Sequence, residues 1–158
     1  MEEAAPQANT LVSNITKIIN IEATQPATPQ RKALLGMMAD VRGTTARALA
    51  NIRAYLLSGN PVFKDRFDTM WTKNIKRFAD LTGNQSLLTP KQLELFKEFT
   101  TARTIFAPLP SKMFEIRGGE EWNMANRWLG TKAAPTAFAI KLSSMPWPKT
   151  RNSYWRLT

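Results

Sequence analysis

The chain contains no cysteine and no histidine. Disulfides, thiolate zinc sites, imidazole metal sites and nucleophiles activated by an imidazole are therefore excluded. Lack of cysteine suits any redox compartment, the bacterial periplasm included, without singling one out. No apolar run approaches the ~18 residues that a membrane span needs. The first residues are acidic rather than basic, so no signal peptide is visible. Nowhere do several β-branched and polar residues alternate between turns, so strands have no signal. A phosphate-binding glycine loop, a metal-ligand spacing and a nucleophile motif are also missing. The acid pairs Glu2-Glu3 and Glu120-Glu121 stand at helix starts, where the helix dipole explains them. No enzyme activity, cofactor or metal is expected.

What is present is one domain's worth of chain, 158 residues, with an ordinary apolar share of 43%. Its net charge is +10. The last thirteen residues hold Lys149, Arg151 and Arg156 with no acid, which is three of those ten charges. The other basic residues are scattered among acids, with no Lys/Arg run of the kind that grips a phosphate backbone. A solvated mixed-charge surface is the expectation, and no nucleic-acid partner.

The stretch Leu34 to Leu57 organises the rest. Leu35, Met38, Thr45, Leu49, Ile52 and Leu56 recur at helical spacing, with Arg42 in the slot between Met38 and Thr45. Leu, Met and Ala dominate, so propensity agrees with period. Ser58-Gly59-Asn60-Pro61 closes the helix. At 100° per residue, Arg42 and Arg53 fall about 20° apart, near one edge of the face to be buried. Arg47 points away from them.

Residues 1 to 9 read as a frayed lead-in, and a first helix starts at Thr10, with Leu11, Ile15 and Ile18 or Ile19 apolar. Pro26 and Pro29 interrupt it, either as a kink or as a short linker between two helices. A kinked continuous rod running on into the organising helix at Arg31 is preferred. The next helix buries Val62, Phe63, Phe67, Met70, Trp71, Ile75, Phe78 and Leu81, and ends near Gly83-Asn84. Asn74 falls within that stripe, as an edge position reaching water or as a polar layer inside a bundle. Thr89, Pro90 and Gln92 form a capping box. From there Leu95, Phe99, Ala102, Phe106, Leu109, Met113 and Ile116 make a heptad seam. Pro108 and Pro110 should bend it while it keeps its phase. Arg103 borders this seam. After Gly118-Gly119, a last helix puts Trp122, Ala125, Leu129, Ala133, Thr136 and Ile140 on one face, flanked by Asn126 and Lys132, with a kink at Pro135. The helical pattern stops near Met145. The expected fold is all-α, an up-down-up-down four-helix bundle of long, proline-kinked helices over residues 10–145, with an atypical tail at 146–158.

RGTTARALANIRAYLLSGNPVFKDRFDTMW resembles the first helix, turn and second helix of periplasmic four-helix-bundle sensor domains in bacterial methyl-accepting chemotaxis receptors. LLTPKQLELFKEFTTARTIFAPLPSKMFEIR and EEWNMANRWLGTKAAPTA resemble their third and fourth helices. The likeness covers residues 31 to 145. It implies a ligand-sensing module lying between two membrane spans on the periplasmic face of the inner membrane. It also implies a homodimer, a small anionic ligand such as an organic acid or amino acid, and a signal carried by helix displacement. Related bundles serve histidine kinases and cyclic-nucleotide signalling proteins. The competing class is a basic helical protein that binds nucleic acid or another acidic partner. The chain itself holds neither spans nor signalling rod, as an excised module or a fragment of a longer receptor would. The tail departs from the family, whose fourth helix runs on. Read from the last base of the Met145 codon, permissible codons give an amphipathic continuation, so a reading-frame slip is one account. A divergent tail or a cloning scar is the other.

A small carboxylate needs fixed cationic donors, best supplied by the planar fork of arginine. Arg42, Arg53 and Arg103 border apolar faces and can point into a groove between helices or subunits. Thr45, Asn74, Asn126 and Lys132 can supply orienting hydrogen bonds. The plainer expectation is that such arginines reach water or pair with Asp40 or Glu98. Trp122 and Trp128 can wall an aromatic site, though packing is their commoner use.

Overall fold

Proline, threonine and glycine mark where each rod starts and stops. The computed structural model describes residues 4–119 and 122–143, apart from the side chains at 125, 126 and 142. Expectations for the tail 146–158, its frame slip included, and for Glu120-Glu121 lie outside the described residues. Among the described residues every regular element is helical, with no strand. They are α1 (Ala4–Glu22), α2 (Pro29–Ser58), α3 (Val62–Gly83), α4 (Pro90–Phe106) and α5 (Leu109–Gly118). Beyond these lie α6 (Met124–Trp128), a π-helical turn Leu129–Ala133, and α7 (Ala134–Ser143). The chain divides into two units, Met1–Gly119 and Glu120–Thr158.

The kinked rod across Pro26 and Pro29 is not formed. α1 ends at Glu22, and α2 has its own start. Thr28 caps α2 by accepting the Arg31 backbone N–H at 3.3 Å, with Pro29 in the first turn. The chain doubles back between them: Glu22 meets Arg31, and Thr16 meets Arg42. Nor are residues 4–9 frayed, since they lie in α1, which buries Ala4 and Ala8, while the expectation for Glu2-Glu3 lies outside the described residues. Two prolines three residues apart remove two backbone donors and leave too little helix between them to sustain a rod. The apolar face of α1 then gains more by burial against α2 and α4 than by extension into water.

The other ends follow the sequence. Gly59 takes the left-handed conformation at φ 70°, and its N–H donates to Tyr55 O at 2.7 Å. The Thr89–Gln92 capping box is complete in both directions, at 3.3 and 2.9 Å. The core gathers Leu11, Ile15 and Ile18 of α1, and Leu34, Met38, Val41 and Ile52 of α2. Phe67 and Leu81 of α3 and Phe99 and Phe106 of α4 complete it. Leu34, not Leu35, occupies the buried slot, while Val62 and Ile75 are exposed.

The heptad seam keeps its phase only in part. α4 stops at Phe106, and after Pro108 the buried positions are Pro110 and Phe114, while Leu109 and Met113 are half-buried against the core and Ile116 is exposed. Pro108 has no N–H to continue the ladder, and the break lets α5 rotate. Phe114 then sits edge-on to Tyr55 and Phe67, with ring centroids at 5.0 and 5.2 Å. In the second unit, helix runs through Pro135. The π-turn at Leu129–Ala133 comes just before it and widens the backbone where the proline ring would clash.

Gly59 supplies the test of the first turn. A Cβ there would lie 2.6 Å from Arg117 Nη2, and the same Arg117 donates through Nε to Leu56 O at 2.8 Å. Gly59→Ala should cost about 1–2 kcal/mol in urea denaturation, from left-handed strain and the displaced guanidinium. An unchanged midpoint would show that the turn needs no glycine.

Candidate functional site

Asparagine is a poor choice for the buried stripe of a helix unless its amide is fully used. Asn74, on α3, is fully buried, and its amide is used on both sides. Its Nδ2 donates toward α2, with Thr44 Oγ1 at 2.8 Å, Thr45 Oγ1 at 2.9 Å and Val41 O at 3.2 Å. Its Oδ1 accepts from Arg103 Nη1 on α4. A guanidinium has no acceptor, so this is the orientation of the amide that satisfies both neighbours. One side chain thereby ties three helices together.

Arg103 is only 8% exposed. Its guanidinium lies 4.5 Å from the Trp71 ring centroid and 4.5 Å from that of Phe78. These faces offer π-electron density in place of water. Burial lowers the Arg103 pKa to about 10. At neutral pH the group is still a cation.

No carboxylate neutralises it among the described residues. Of the two acids expected to pair with seam arginines, Asp40 binds Arg77 at 3.2 Å, and Glu98 accepts from Asn14 at 2.9 Å. A second polar cluster contrasts with this one. Glu22, with its side chain 1% exposed, takes Arg31 Nη2 at 2.7 Å and Gln92 Nε2 at 2.8 Å. There a buried charge has its counter-charge. At Arg103 it has amide and aromatic faces alone.

Of the residues expected to form a site, Thr45, Asn74 and Arg103 meet. Arg42 does not join them: it is exposed, and its Nε donates to Thr16 Oγ1 at 3.1 Å. Arg53 is also exposed, at the rim of an apolar cavity elsewhere on α2. Asn126 lies on α6 in the other unit, with its side chain outside the described residues. Lys132 Nζ sits 5.1 Å from the Trp128 ring centroid in that same unit. Sequence reasoning missed the cage, Trp71 and Phe78, and the second hydroxyl, Thr44. A signal for the cage was present: Trp71, Asn74 and Phe78 are one helical turn apart on one face. Comparison with protein-family models, curated proteins and solved structures finds no match.

The layer should behave as one unit. Asn74→Ala removes the only hydrogen-bond acceptor described for Arg103 and should cost about 3 kcal/mol in chemical denaturation. Adding Arg103→Met should recover part of that loss, a coupling of about 1 kcal/mol or more in a double-mutant cycle. Strict additivity would show that the two side chains do not depend on each other.

Proposed function

We propose that this chain is the ligand-binding part of a bacterial sensory receptor of the chemoreceptor type. It takes up a small anion between its helices and passes the event on as a displacement of one helix against its neighbours. The residue pairs support an up-down-up-down bundle. Glu22 with Arg31, Asn74 with Thr45, Phe78 with Phe96, Trp71 with Phe106 and Asn14 with Glu98 each join neighbours whose numbering runs in opposite senses. In that arrangement α1 is the fourth rod.

The observation that carries the reading is Arg103. A bundle built for stability alone gains by placing an apolar residue or a complete ion pair in its core. A lone buried cation costs stability, and an anion entering the low-dielectric interior recovers it. Because Asn74 joins Arg103 to α2 and α3, any shift of α4 is felt by both. In the receptor setting the module works as a homodimer on the periplasmic face of the inner membrane, within a longer protein. A histidine-kinase sensor would use the same bundle with a different output.

A thermal-shift panel of organic acids and amino acids at low ionic strength tests this. One acid should raise Tm by several degrees, since a ligand at a hundred times its Kd adds about 2.7 kcal/mol. The shift should shrink in Arg103→Met. Silence across the panel, or an equal response in the variant, would overturn the reading.

A further inference from the structure

One apolar opening in the first unit lies away from the polar layer. It is a cavity of about 160 Å³, lined by Ala4 and Ala8 of α1, Leu49 and Ile52 of α2, Phe106 of α4 and Met113 of α5. Alanine methyls on one side face larger side chains on the other and leave the volume unfilled. An apolar cavity of about 150 Å³ is enough to admit benzene. Arg53 and Asn9 stand at its rim and are both exposed. Among the described residues neither side chain has an ion pair or hydrogen bond, and the cavity lining contains no acid.

We propose that this cavity binds a small monocarboxylate carrying an apolar ring. The ring fills the space between Ala8 and Phe106, and the carboxylate takes the Arg53 fork, with the Asn9 amide as a second donor. An apolar pocket with one uncommitted cation at its mouth selects for that combination. A purely polar acid would leave the cavity empty, and a neutral ring would leave the guanidinium unused. The proposal rests on the reading that the chain takes up a small anion, and it seats the carboxylate on Arg53 at the cavity mouth rather than on Arg103. It also gives the ligand a route to the polar layer. Phe106, the cavity wall, contacts Trp71 at 5.9 Å between ring centroids, and Trp71 is one face of the Arg103 cage.

Calorimetric titration with benzoate, acetate, benzamide and citrate tests it. Benzoate should bind one-to-one, about tenfold or more tighter than acetate or benzamide. Arg53→Gln, an exposed change that leaves folding alone, should weaken benzoate about tenfold and leave benzamide unchanged. Ala8→Leu, checked for unchanged helicity by circular dichroism, should abolish both. Benzoate binding that survives Arg53→Gln unaltered, or acetate binding as tightly as benzoate, overturns the proposal. Citrate binding without benzoate sinks the cavity and leaves anion sensing standing, whereas silence from every acid sinks both.

Discussion

A guanidinium held in the core, with no counter-charge among the described residues, is the constraint on which the rest of this structure turns. Arg103 must keep an acceptor, and Asn74 is that acceptor. Asn74 must satisfy its own donors, and Thr44 and Thr45 do so. Trp71 and Phe78 must stay against the cation as its partial substitute for water. Each requirement fixes one helix relative to another. Apolar packing tolerates small slips between rods, but a buried polar layer has one register at which every group is satisfied. The hydrophobic side chains therefore supply most of the driving force, and this layer selects among the packings they allow.

The polar and apolar features are graded along the first unit. At one end Glu22, Arg31 and Gln92 form a compensated buried cluster that fastens the α1–α2 hairpin to the start of α4. Near the middle lies the uncompensated cation. At the other end, alanines of α1 leave a cavity against Phe106 and Met113. Stability is concentrated where charge is matched, and receptivity where charge or volume is left open. That division would suit the sensory role proposed for the chain, since an element must have a second arrangement within reach to be shifted by a ligand.

Helix ends were legible because their causes are local. Gly59 and the Thr89–Gln92 box act within a few residues of themselves, so spacing alone identified them. Thr28-Pro29 carries the same start signal as Thr89-Pro90, and it went unread because the periodicity on either side of Pro26 invited a single rod. The change of seam at Pro108 was less accessible. Heptad spacing described Leu109, Met113 and Ile116 well, but a proline break frees the next segment to rotate, and Tyr55 and Phe67 decided which face turned inward.

Composition and period by themselves determined an all-helical chain, its turns, and the presence of arginines and an asparagine beside buried faces. Those are properties of residues a few positions apart. Only the tertiary structure decided that Arg103 is enclosed while Arg42 and Arg53 are not, and that α1 folds back onto α2 and α4. The reason is physical: a position on a helical wheel gives an angle, whereas burial depends on which neighbour arrives there. Asp40 stands two residues from Arg42 yet pairs with Arg77, and Glu98 stands five residues from Arg103 yet accepts from Asn14, which leaves Arg103 with rings and an amide.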